Sequence, residues 1–117
     1  KISTDRVFPE NDHRNFNRDG QCFNVGETFS GLPFEKGVEL SEKLKGLVPP
    51  EITMTQLALR WILDFDAVTV VIPGGKNTQQ VMENSLVSDI TNLTENSHNK
   101  LSEFYNNEVK AYIRGKY

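Results

Sequence analysis

Residues 71–84 read VIPGGKNTQQVMEN: an apolar run, then Pro73, the adjacent pair Gly74 and Gly75, Lys76, and a polar segment with helical caps. Adjacent glycines can turn successive backbone N–H groups toward an anion. A helix starting behind them adds its positive dipole end and unpaired N–H donors. Lys76 adds a full charge. Together these suit a phosphate, although a tight strand-to-helix turn with a solvated lysine fits the same spacing. Asn77-Thr78-Gln79-Gln80 matches a polar capping box, with Asn77 as N-cap and Gln80 reaching back. Glu83 and Asn84 follow Gln80 at i+3 and i+4 and project from neighbouring positions on one helix face. An amide beside a carboxylate can read the donor and acceptor edges of an adenine ring. A solvated polar face is the plainer reading, and spacing alone leaves both open.

Two phosphate motifs are excluded. A P-loop would need glycine at position 70 and Ser or Thr after Lys76, where the chain has Val70 and Asn77. The dinucleotide pattern fails because Gly74 and Gly75 are adjacent, with no third glycine at the required offset. No metal site is expected: His13 lies among Asp12, Arg14 and Asp19 without a second ligand at metal spacing. His98 has no nucleophile near it in sequence. Ser30 precedes Gly31 but follows no glycine at position 28, so it is not a nucleophile elbow. Tyr105 and Tyr112 belong to an apolar stripe and are expected in packing.

The elements that must position the 71–84 segment are mostly helical. A first helix is expected over about Phe34 to Gly46, with a Glu39–Lys43 pair, ending before Pro49-Pro50. A second opens at a Thr53–Gln56 capping box and continues to Phe65, apolar around most of its circumference and so covered on several sides. A third is expected over about Thr78 to Val87, and a fourth from Thr94, which caps it; the Asn92-Leu93-Thr94 glycosylation sequon is not used. Residues 1–33 are polar and irregular, with Phe8, Phe16, Phe23 and Phe29 spaced along them, and are expected to lie on a surface as a long loop.

Residues 67–72, AVTVVI, form the one convincing strand, apolar on both faces as in a parallel sheet. Burying Val68, Val70, Val71 and Ile72 is worth roughly 1.5–3 kcal/mol each, about 6–12 together, comparable to a domain's net stability. A parallel strand obtains this only between sheet neighbours, and no other run of similar quality occurs. The expectation is one piece of a larger α/β fold, the last βα unit of a repeated array. In (β/α)₈ barrels ligands bind at the C-terminal ends of strands, with phosphates at the loops after strands 7 and 8.

Residues 57–84, LALRWILDFDAVTVVIPGGKNTQQVMEN, resemble the C-terminal part of the aldo-keto reductase superfamily, most of all its bacterial branch related to potassium-channel β-subunits. The likeness rests on Arg60-Trp61, Ile72-Pro73-Gly74, Gln80, Glu83 and Asn84; PENDHRN (9–15) and GLPF (31–34) match the same branch. The resemblance implies an α/β chain forming the C-terminal part of a (β/α)₈ TIM barrel. Residues 1–33 would be the long loop after strand 7, and 34–117 the last helices and strand 8. It implies a cytoplasmic oxidoreductase using NADP(H) to reduce small carbonyl substrates. Gly74, with Gly75 beside it, and Lys76 would hold the adenosine 2′-phosphate region. Gln80 would contact the ribose-phosphate end, Glu83 and Asn84 the adenine, Lys1 the pyrophosphate, and Arg14 a second charge at the 2′-phosphate. The family's catalytic Asp, Tyr, Lys and His come from earlier strands and loops, so no catalytic residue is assigned here. With 117 residues against the roughly 250 of an ordinary barrel, the chain is expected to be a fragment without reductase activity of its own. An inactive module that oligomerises through bare strand edges is the alternative.

Composition agrees with a soluble domain. The net charge of −3 and scattered basic residues give no nucleic-acid footprint. No apolar run approaches the roughly 20 residues that cross a bilayer, and KISTDRVFPEND lacks a signal-peptide core. The single Cys22 makes no internal disulfide, which favours a reducing cytoplasm.

Overall fold

A computed structural model describes residues 7–12, 15 and 31–113. From residue 31 on, α-helices follow in order: α1, Phe34–Leu44; α2, Met54–Leu63; α3, Thr78–Ser85; and α4, Glu95–Phe104. Short 3₁₀ turns occupy Lys45–Leu47 and Leu86–Asp89, and a π-helix, Tyr105–Val109, continues α4 into a last 3₁₀ turn, Lys110–Tyr112. The chain divides into two units, Lys1–Gly46 with Glu103–Tyr117, and Leu47–Ser102.

In the first unit, Gly31 takes φ 73°, the left-handed region that favours glycine, just before Pro33 fixes the entry into α1. Phe34 and Leu40 are buried on α1, and Phe8 packs edge-on to Phe34 with ring centroids 5.9 Å apart. The expected Glu39–Lys43 pair forms at 3.2 Å. Lys36 also reaches Glu39 at 2.9 Å, and Lys43 reaches Glu108 at 2.7 Å. The Lys36 ammonium stands 4.1 Å over the Tyr112 ring. The Glu39, Lys43 and Glu108 side chains are well exposed, so the Lys43 pairs contribute little.

In the second unit, the Thr53 capping box forms as the sequence predicts. Gln56 N–H donates to Thr53 Oγ1 at 3.2 Å, and Thr53 N–H donates to Gln56 Oε1 at 2.9 Å. Such a cap is worth about 1 kcal/mol. Leu57 of α2 and Val87 of the turn after α3 are 2% and 1% exposed and form the centre of this unit's core. The wider covering expected for α2 is incomplete, because Trp61 and Phe65 stack edge-on to each other at 4.9 Å and stay substantially exposed.

The expected strand is not formed. Residues 67–72 carry no β-structure, and no strand occurs among the described residues. Val68 N–H bonds to Phe65 O in the turn leaving α2, at 2.8 Å. Beyond it, none of the backbone N–H groups of residues 69–75 meets a partner among the described residues. The burial foreseen for the run is not reached either: Val70 is 67% exposed and Ile72 90%. A lone apolar segment supplies side chains for a sheet but cannot supply the neighbour that makes a ladder. One side of the run does find cover. Val70 and Val71 join Leu59 and Leu63 of α2, Val81 of α3 and Val87 around an open cleft of about 370 Å³.

Candidate functional site

The glycine-lysine loop is held against the start of α3 by side chains of that helix. Asn77 is the N-cap in extended conformation, and its Oδ1 accepts from Gln80 N–H at 2.9 Å. Gln80 reaches back as foreseen, but one residue further: its Oε1 accepts from Lys76 N–H at 2.7 Å, rather than from the N-cap residue. Asn84 Nδ2 donates to Gly74 O at 3.3 Å. Loop residues 74 and 76 are thus clipped by two amides one helical turn apart on α3. A Cβ on Gly75 would meet Val81 Cγ2 at 2.6 Å, so the Val81 side chain would have to move, whereas one on Gly74 would meet nothing within 4 Å.

The clips decide which donors are already used. Lys76 N–H and Gln80 N–H are consumed inside the loop. The Lys76 ammonium and the N–H groups of Gly75, Thr78 and Gln79 have no partner among the described residues. With the Asn77 N–H, which also has no partner among the described residues, these donors lie at or next to one helix end. One turn along α3, Glu83 Oε1 accepts from Gln79 Nε2 at 2.8 Å, which leaves Glu83 Oε2 without a partner among the described residues. Gly74, Lys76, Gln80 and Asn84 are in this way tied together, with Gly75 between them and Glu83 beside Asn84 on α3; all but the half-buried Asn84 are exposed. Their donor end suits a phosphate and their acceptor end a base. Lys1 and Arg14, assigned to the same site from the sequence, lie outside the described residues, as do His13, Cys22 and Ser30.

A second cluster was not visible in the sequence. Asp64, which follows α2 and has a side chain only 4% exposed, accepts from Arg60 Nε at 2.9 Å and from Leu93 N–H at 2.9 Å. His98 Nε2 lies 2.8 Å from Oδ2, the oxygen that also accepts from Leu93 N–H, while Arg60 Nε is on Oδ1. Arg60 also donates to Ile90 O at 3.3 Å, and the Phe65 ring stands edge-on to His98. Burial pushes the Asp64 carboxyl up, but hydrogen bonds from His98, Leu93 N–H and Arg60 outweigh it and hold the group below its ordinary value. The Arg60–Asp64 half was readable as an i, i+4 pair. The His98 half joins residues 34 apart and leaves no local signal. Among the described residues no hydrogen bond from a nucleophile to His98 is seen, and the cluster ties α2 to the start of α4.

Among the described residues no group of three or more His, Cys, Asp and Glu is placed to hold a metal ion. No helix among them is long and apolar enough to cross a membrane. Compared with known proteins, the chain matches the model of the aldo/keto reductase family over residues 2–106. No curated protein and no solved structure matches it.

Proposed function

We propose that this chain, which belongs to the aldo/keto reductase family, carries the adenosine end of an NADP(H) site in an enzyme that reduces aldehydes or ketones. The family supports the oxidoreductase class and a barrel fold. The observation that carries the cofactor reading is the clipped loop, where the Lys76 ammonium and backbone N–H groups at the start of α3 are left without a partner among the described residues. NADPH, when bound, supplies the hydride. The residues of this chain bind and orient it. Lys76 and the Gly74-Gly75 backbone take the 2′-phosphate, Gln80 the ribose-phosphate end through its free Nε2, and Glu83 with Asn84 the adenine. Lys1 at the pyrophosphate and Arg14 beside the 2′-phosphate belong to the same reading on the strength of the resemblance. No residue here is given a catalytic role. In this reading the chain is the C-terminal portion of a cytoplasmic enzyme, with the proton donor elsewhere.

The test is a fluorescence titration of the full-length protein with NADPH and NADH, followed by carbonyl-dependent oxidation of whichever binds. Tighter binding of NADPH and turnover with an aldehyde are expected. Equal affinity for the two cofactors would sink the assignment of the 2′-phosphate to Lys76.

A second reading rests on the run 69–72, where Val70 and Ile72 are exposed and the backbone N–H groups have no partner among the described residues. Such an edge takes another strand readily, so these 117 residues on their own are expected to self-associate. Sizing of the isolated chain checks this. A stable monomer that ignores NADPH would favour an independent, non-enzymatic module.

A further inference from the structure

We propose that Gln79, a residue outside the set assigned above, positions the Glu83 carboxylate so that the base subsite selects a 6-amino purine over a 6-oxo purine. This rests on the cofactor reading and deepens it. Gln79 and Glu83 are four apart on α3, and the Gln79 amide donates to Glu83 Oε1 at 2.8 Å. One carboxylate oxygen is occupied, which biases the side chain toward this position and leaves Oε2 without a partner among the described residues.

An ionised carboxylate only accepts hydrogen bonds. It therefore rewards an amino group at the position it faces and opposes a carbonyl oxygen there, since two acceptors brought together leave both unpaired. Its neighbour is fixed as well, because Asn84 is tied to Gly74 O at 3.3 Å. Without Gln79, Glu83 would swing through solvent, and the penalty against a 6-oxo base would be softened.

The experiment is a pair of equilibrium fluorescence titrations on the full-length protein, with NADPH and with its hypoxanthine counterpart, in which a carbonyl replaces the 6-amino group and N1 carries a proton. About tenfold weaker binding of the hypoxanthine cofactor is expected, the scale of one charge-assisted contact. Gln79→Leu should narrow that ratio about twofold, the scale of an exposed i, i+4 pair. Gln79→Lys should keep it, because an ammonium at 79 can still donate to Glu83. Equal affinities for the two cofactors in the unaltered protein would overturn the selectivity. A Gln79→Leu protein that loses affinity for both equally, with the ratio intact, would overturn the positioning role. Failure of NADPH itself to bind would instead sink the cofactor reading and this inference with it.

Discussion

Replacing Lys76 by alanine in the full-length protein is expected to weaken NADPH binding tenfold to a hundredfold while leaving NADH nearly unchanged. One hydrogen bond to a charged group is worth roughly 1.5–3 kcal/mol, and each 1.4 kcal/mol is about a factor of ten. The substitution isolates the charge unusually well. The loop is held through Lys76 N–H to Gln80 Oε1 and through Gly74 O to Asn84 Nδ2, and neither bond uses the lysine side chain. Lys76 also precedes the N-cap Asn77, so α3 keeps its cap in the variant. A fluorescence titration with the two cofactors reads the difference directly. Because Lys76 is exposed, the NADPH preference should shrink as salt rises, which separates a charge effect from a packing effect. Lys76→Arg should retain most of the preference. Loss of NADH affinity in parallel with NADPH would show that the residue supports the loop rather than the phosphate.

The parts of this structure that were legible from sequence are those set by neighbours three or four residues apart. The Thr53–Gln56 box, the Asn77 cap, the cap of Ser97 N–H by Thr94 Oγ1 at 3.2 Å and the Glu39–Lys43 pair all formed as the residue types foretold. Gln80 was foreseen to turn back, but its reach to Lys76 rather than Asn77 depends on side-chain conformation, which composition does not encode. The apolar stripe on the last helix misplaced Tyr105 and Tyr112, both well exposed. The π-helix Tyr105–Val109 widens the turn there, so a 3.6-residue period no longer tracks one face. At 67–72 the pattern reported the right chemistry but not the structure. Apolarity on both faces is a local property, whereas a strand exists only with a partner. The loop that composes the candidate site was legible because Gly74, Gly75, Lys76, Gln80, Glu83 and Asn84 lie within eleven consecutive positions, 74–84. The Asp64–His98 contact, far apart in sequence, was not.

That contact carries the largest expected loss of stability. Asp64→Ala should destabilise the chain by about 3 kcal/mol, toward the low end for a broken buried ion pair. The carboxylate is 4% exposed and satisfies three donors at once: Arg60 Nε, Leu93 N–H and His98. Its removal leaves Arg60, itself 10% exposed, with only the Ile90 carbonyl among the described residues. His98, 29% exposed, can recover some solvation, which is why the upper end of the range is not expected. Asp64→Asn should cost less, because its amide oxygen can still accept from Leu93 N–H or Arg60. The pH dependence has a definite sign. The Asp64 carboxyl is held below its ordinary value in the folded chain, so its contribution is complete above the unfolded carboxylate range, about pH 4. It is lost as pH falls through the folded value. Denaturant midpoints of the two proteins should therefore stand well apart at pH 7 and converge as pH drops below about 4. A gap that persists undiminished at low pH would mean that the loss in Asp64→Ala comes from a packing defect. The ionised carboxylate would then not be what joins α2 to the start of α4.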